Sequence, residues 1–318
     1  MGHTIEFQTD VKYLVPGETV RVPIVIDLDK PTKVRNVSAR FHAAERAEAQ
    51  YTEHTTDSDG KTQTRTKTAV SHHDIVDEKF LLEGEPPLGC LAGMADGFKS
   101  LFGAGRGVML DTGRHEYSVE FTIPDHAPPS MNGRKCKIFY ELSAHIDLPM
   151  ARDPKETYDF KVSPTVEQLD GQPSVAYFPD EKGRGFWDRT FGKDARLTLA
   201  VKNDVATAGD KIIALFQAET DSSIKIKTAT AKLLCVEKTL VSSHADSHTH
   251  QTKPVTIATA QEIHGGFSTE LVLDAEMIGP PTARGKDFSV EWFIEVILDV
   301  PWAKDPTIRA PIRMVGMS

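Results

Sequence analysis

The side chains best suited to chemistry in this 318-residue chain are three neighbouring histidines, His244, His248 and His250, with Asp246 among them. Residues two apart on a strand share a face, so His248 and His250 can offer two imidazoles to one metal ion. The stretch around them is rich in Ser and Thr and reads as an exposed hairpin, where histidines are commonly just solvated. These three are the candidate ligands, and no bound metal or other cofactor is expected. His72-His73-Asp74 is a weaker candidate, because adjacent strand residues point to opposite sides. Gly103-Ala104-Gly105-Arg106-Gly107 is glycine-rich, but it follows a predicted helix and precedes a strand. A phosphate loop needs the reverse order and a Gly-Lys-Ser/Thr ending. The sequence has neither G-x-S-x-G nor H-E-x-x-H, and acidic pairs such as Asp180-Glu181 read as surface charge. The expectation is a protein that is not an enzyme.

The three cysteines, Cys90, Cys136 and Cys235, are far apart and show no C-x-x-C spacing. That fits neither a disulfide framework nor a structural zinc site, and points to a reducing compartment, the cytoplasm. Cys136 and Cys235 fall in apolar-alternating stretches and read as small core hydrophobes. The net charge of −9, with no compensating basic block, argues against nucleic acid as a partner. No apolar run approaches the ~20 residues of a membrane-spanning helix. The N-terminus shows no basic leader followed by an apolar stretch, which predicts no signal peptide. Glu6 stands where a myristoylation signal wants Ser or Thr.

Candidate sites need elements to hold them, and here the dominant period is two. Val20, Val22, Ile24, Ile26 and Leu28 alternate with polar residues, as do Tyr117, Val119, Phe121 and Ile123. Ile138, Tyr140, Leu142, Ala144 and Ile146 do the same. Turn signals at Pro16-Gly17, Asp59-Gly60, Pro128-Pro129 and Asn132-Gly133 separate these runs. Short alternating strands with frequent turns predict antiparallel sandwiches. Pro23 cannot donate to a ladder, which predicts an edge position for its strand. One segment departs from the pattern: Leu91, Met94, Ala95, Phe98, Leu101 and Phe102 recur at helical spacing. The expectation is a short amphipathic helix over 91–102 that covers an open sheet face. Its stripe, with Phe98, Leu101 and Phe102, is also the place where a partner or a membrane surface would be touched.

The chain also repeats itself. Asp147-Leu148-Pro149-Met150-Ala151-Arg152-Asp153-Pro154 returns 152 residues later as Asp299-Val300-Pro301-Trp302-Ala303-Lys304-Asp305-Pro306. At the same offset Pro128-Pro129 maps onto Pro280-Pro281, and Gly133 onto Gly285. The inward positions of the 138–146 strand become Val290, Trp292, Ile294, Val296 and Leu298. Earlier in each half the offset is 192, carrying Gly17 onto Gly209 and Phe41 onto Leu233. The first copy therefore holds about 40 extra residues, and these include the predicted helix. The repeated octet reads as a strand-to-strand connection whose aspartates cap turns. Residues from Ser163 to about Arg196 read as a connector plus the first strand of the second sandwich.

Residues His115–Ser130, H-E-Y-S-V-E-F-T-I-P-D-H-A-P-P-S, and Tyr140–Pro154, Y-E-L-S-A-H-I-D-L-P-M-A-R-D-P, resemble the arrestin-like superfamily. Lys33, Val34 and Val37 after Pro16-Gly17-Glu18 match that family's opening strands. The resemblance implies two tandem immunoglobulin-like sandwiches with one helix on the first. It is nearer to retromer-type or bacterial sporulation-control relatives than to visual arrestins. The chain carries only Lys12 where phosphate sensing uses paired lysines, and no P-P-x-Y motif follows its proline pairs.

The reading is all-β, with an N-type sandwich over 1–165, including the helix-bearing insertion, and a C-type sandwich over 166–318. The expected function is a non-enzymatic adaptor or scaffold that binds a protein partner, such as the cytoplasmic part of a membrane protein. A peripheral membrane scaffold using the 91–102 helix is the first alternative. A metal- or ligand-binding sandwich is the second.

Overall fold

The computed structural model describes residues 3–56, 62–84, 107–149, 151–165, 170–178, 196–219, 226–260, 263, 266–301 and 305–316. The helix expected over 91–102, with Phe98, Leu101 and Phe102, lies outside these residues. The described chain is all strand and connection.

The first half opens with β1 (His3–Phe7), β2 (Tyr13–Leu14), β3 (Thr19–Leu28) and β4 (Thr32–Val34). Two long strands follow, β5 (Asn36–Thr56) and β6 (Thr62–Gly84). After them come β7 (Val108–Leu110), β8 (Gly113–Thr122), β9 (Met131–Asn132), β10 (Cys136–Asp147) and β11 (Lys155–Val162). The second half begins with β12 (Ser174–Phe178), β13 (Arg196–Val201), β14 (Val205–Thr207) and β15 (Lys211–Glu219). It continues with β16 (Thr228–Val241), β17 (His244–Gln251), β18 (Val255–Thr259) and β19 (Gly266–Asp274). It closes with β20 (Ala283–Arg284), β21 (Phe288–Asp299) and β22 (Thr307–Val315).

The chain divides into two compact units. The first is Met1–Glu45, His72–Ser130 and Ile138–Ser163; the second is Arg46–Ser71, Met131–Lys137 and Pro164–Ser318. The outer lengths of β5 and β6, and the start of β10, therefore count with the second unit.

In the first unit a small sheet β1-β3-β8 accompanies a larger one in the order β2-β11-β10-β5-β6. Phe121 of β8 stacks on Phe41 of β5 at 4.0 Å between centroids, and meets Phe160 of β11 edge-on at 5.6 Å. All three rings are buried, and each such burial contributes about 1.5–3 kcal/mol. One end of this core is closed by Ile26, Leu28, Val34, Val37, Leu110, Ile146 and Leu148. The second unit pairs a sheet β12-β13-β15-β19 with a larger one in the order β14-β22-β21-β16-β17.

Pro23 is a correction to the edge position expected for its strand. β3 is central, paired with β1 on one side and β8 on the other. The Pro23 carbonyl accepts from the Gln8 amide at 2.9 Å, just beyond the last β1 pair, Phe7↔Ile24. The missing N–H thus faces the spot where β1 leaves the ladder, so only one bond at the strand's end is forgone.

The internal repeat is preserved bond by bond. Gly17 and Gly209 both turn through positive φ, 81° and 92°, and donate to Ile123 and Ala275 carbonyls respectively. The Leu148 amide is capped by Asp153 at 2.9 Å, and the Val300 amide by Asp305 at 3.0 Å. The second aspartate of each octet is thus a turn cap, as the sequence predicts, whereas Asp147 accepts from Arg35 at 2.9 Å. Each copy also has one short parallel pair, β2 with β11 and β14 with β22.

The strongest shared feature is a corner. Tyr140 Oη donates to the Pro128 carbonyl at 2.6 Å, and Trp292 Nε1 donates to the Pro280 carbonyl at 2.8 Å. Both aromatic residues are only 1% exposed, so their polar atoms need partners inside the protein. Tyr140→Phe keeps the ring but strands the Pro128 carbonyl, and should cost about 1–2 kcal/mol in urea unfolding. Tyr177→Phe, at an exposed position, should change stability by less than about 0.5 kcal/mol in the same measurement.

Candidate functional site

The predicted histidine hairpin is β16 turning into β17 through Ser242 and Ser243, both at positive φ. That two-residue turn suits the right-handed twist of paired strands. His244, Asp246, His248 and His250 do share one face, and that face is half-buried rather than open. The reason is Glu237 on β16, which has no exposed surface.

Glu237 Oε1 takes the His250 Nε2 hydrogen at 2.7 Å and the Arg134 amide at 3.1 Å. Its Oε2 takes the Lys135 amide at 2.8 Å, and the Cys136 thiol approaches it at 3.6 Å. Gly133 permits the approach, because a Cβ there would run into Oε2. Burial pushes this carboxyl upward. The His250 hydrogen bond and the two backbone amides outweigh it and hold it below the ordinary glutamate range.

Asp246 carries the network outward. Its Oδ2 accepts from Lys135 Nζ at 2.6 Å and from the Gln50 amide at 2.8 Å. Thr239 donates to the Glu48 carbonyl at 2.9 Å, and Tyr51 lies flat on His244 at 3.7 Å between centroids. The three histidines are thus differently placed: His250 is spent on Glu237, His244 stacks on Tyr51, and His248 meets His250 edge to face. Burial, reinforced by the charge of His250, lowers the pKa of His248. Cys136 and Cys235 are free and buried, as expected of core hydrophobes. Burial together with the Glu237 charge pushes the Cys235 thiol up to about 12 and raises that of Cys136, so both stay protonated.

A second cluster lies on the outward face of the larger sheet of the first unit. His42, His72 and Asp74 bring their donor atoms within 4.8 Å of one another. His72 and Asp74 sit two apart on β6 and share a face, while His42 reaches them from neighbouring β5.

The third feature is a surface. The outward side of β12-β13-β15-β19 exposes Val175 at 49%, Tyr177 at 65%, Leu215 at 42% and Val272 at 53%. Val175, Ala200, Leu215 and Glu270 form one cross-strand row, and Ile213 pairs with Val272 in the next. The repeat supplies an internal control. The pairs Leu215↔Glu270 and Ile213↔Val272 correspond to Pro23↔Ser118 and Arg21↔Glu120 on the first unit's small sheet. There, Arg21 bonds Ser118 and Thr19 bonds Thr122. At these matched positions the face carries Arg21 and Glu120 in one copy and Ile213 and Val272 in the other, with Glu270 and the Lys211–Asp274 pair beside them.

The family model of the arrestin (or S-antigen) N-terminal domain matches residues 3–168. The chain belongs to the arrestin family. No curated protein matches it closely enough to name a relative. Arrestin-family proteins are in general non-enzymatic adaptors that bind protein partners, and this arrestin-family chain has the sandwich sheets of that family. Among its described residues no helix is long and apolar enough to cross a membrane.

Sequence reasoning missed Glu237, Lys135 and His42. Glu237 had a signal: it shares inward parity with Ala231, Leu233 and Cys235 on an alternating strand. Lys135 and His42 had none, since their partners come from distant strands. Because the folded carboxyl of Glu237 lies below its ordinary value of about 4.3, its contribution to stability is complete above about pH 5. It is lost as pH falls through the folded value. Urea unfolding of wild type and Glu237→Gln should differ most at pH 7 and converge towards pH 3.

Proposed function

We propose that this arrestin-family chain is a cytoplasmic adaptor that binds the cytoplasmic part of a membrane protein. The docking surface in this reading is the outward face of β12-β13-β15-β19. The observation that carries it is the polarity difference between the two copies of one face. Ile213, Leu215 and Val272 replace Arg21, Pro23 and Glu120, with no stability to be gained from exposing them.

The chemistry of the occupant follows from what surrounds the apolar row. Glu270 stands in the row with Leu215, while Asp274, beside Val272 on the same side of β19, is ion-paired with Lys211, so Glu270 is the carboxylate that meets the occupant's cation. Among the described residues β19 pairs with β15 alone, which leaves its other edge for strand addition. An extended segment with apolar residues at alternate positions and Lys or Arg beside them matches this surface in hydrogen bonding, shape and charge. Cytoplasmic segments next to membrane spans carry such an excess of Lys and Arg. The net charge of −9 favours their approach over that of acidic segments.

The test is direct binding of two synthetic peptides, one alternating Val and Lys and one alternating Val and Glu, at about physiological ionic strength. The account expects the Lys peptide to bind at least tenfold more tightly, and Leu215→Asp with Val272→Asp to weaken it at least tenfold. Each tenfold step is about 1.4 kcal/mol. Equal binding of the two peptides, or binding unaffected by the double substitution in a normally folded protein, would contradict the proposal.

A further inference from the structure

The outward face of the larger sheet of the first unit carries a constellation that the adaptor reading does not use. It is built from three neighbouring strands, β6, β5 and β10. His42 stands on β5, with its side chain only 8% exposed although it points away from the Phe41 core. On one side its Nε2 lies 2.9 Å from Asp74 Oδ1, and His72 Nε2 lies 3.4 Å from the same oxygen. On the other side His42 Nδ1 faces Glu141 Oε1 at 3.6 Å. Phe139 of β10 packs beneath both imidazoles, its ring 5.5 Å from that of His42 and 5.9 Å from that of His72.

We infer that His42 Nε2, His72 Nε2 and Asp74 Oδ1 form a binding site for a divalent transition-metal ion of the zinc class.

Three features support it. First, both ring nitrogens of a buried imidazole face carboxylates. Such a ring either donates to both carboxylates as an imidazolium or keeps one N–H and offers its other nitrogen's lone pair to a cation, and the second arrangement is the one a metal ion would use. Second, the donor spacings fit. Zinc bound at about 2.0–2.1 Å in tetrahedral geometry separates its ligand atoms by roughly 3.3–3.4 Å. The two spacings to Asp74 Oδ1, 2.9 Å and 3.4 Å, lie within about half an ångström of that, and all three donor atoms lie within 4.8 Å of one another. Third, Glu141 is placed where a metal-binding histidine finds its orienting carboxylate. At 3.6 Å Glu141 makes no hydrogen bond to Nδ1 in this structure, but its charge favours the tautomer with the proton on Nδ1 and the Nε2 lone pair toward the metal.

The charges agree. Asp74 and Glu141 together balance a dication, while Arg40 is held by Asp77 at 2.5 Å and does not repel it unopposed. Two imidazoles and one carboxylate are a borderline donor set that prefers zinc, nickel or copper to calcium or magnesium. The side chains of His72 and Asp74 are 45% and 52% exposed. An ion can therefore enter from solvent and keep water in a fourth position.

The probe is Zn²⁺ alone, titrated calorimetrically into chelator-stripped, full-length protein at pH 7.5. Cobalt substitution, read by visible absorption, reports the coordination geometry. The expected result is one equivalent bound, with affinity at least tenfold lower in His72→Ala and in Asp74→Asn, and unchanged in His248→Ala. Both substituted positions are exposed enough that folding, checked by circular dichroism, should be preserved. Affinity should also fall below about pH 6.5, where protons compete for the imidazoles. Failure of wild type to bind one equivalent would overturn the inference. So would unchanged binding in the His72 and Asp74 variants, or loss of binding in His248→Ala.

Discussion

A carboxylate with no exposed surface must be fully partnered or it will not remain charged, and Glu237 is in that position. Its partners come from two places: the opposite strand of its own hairpin, through His250, and the Arg134–Cys136 segment before β10. Lys135 then reaches Asp246, which in turn takes the Gln50 amide. One buried charge thereby fixes how residues from the first half of the sequence join a unit made mostly from the second half. The hairpin histidines invite a metal-binding reading, but in this structure their first task is to complete that network.

The second constraint is duplication. The hydrogen bonds that recur between the copies sit at turns, corners and caps: Gly17 and Gly209, Tyr140 and Trp292, Asp153 and Asp305. These are positions where backbone groups would otherwise be left unpaired, so the architecture tolerates little change there. Outward faces carry no such obligation. The polar face of Arg21 and Glu120 and the apolar face of Ile213 and Val272 show where the copies were free to part, and function is sought where they differ.

Much of the architecture was legible because it follows local rules. Period-two alternation placed Ile138–Ile146 and its repeat Val290–Leu298, and the octet offset matched the Asp caps. What was not legible depends on residues meeting across strands. His72-His73-Asp74 looked poor because neighbours oppose each other, yet skipping His73 places His72 and Asp74 beside His42, thirty residues earlier. Pro23 misled for a related reason: proline excludes a ladder bond, but a central strand can accommodate it where one neighbour ends. The parity of Glu237 was visible, whereas its four partners were not.

Native-state hydrogen exchange at the Arg134 and Lys135 amides tests the central claim most directly. Both amides donate to Glu237, and glutamine cannot replace it without turning an N–H toward one of them. Wild type should protect both amides strongly at pH 7, and Glu237→Gln should lose that protection at both while the Tyr140 strand keeps its own. Unchanged protection at Arg134 and Lys135 in the variant would contradict the account.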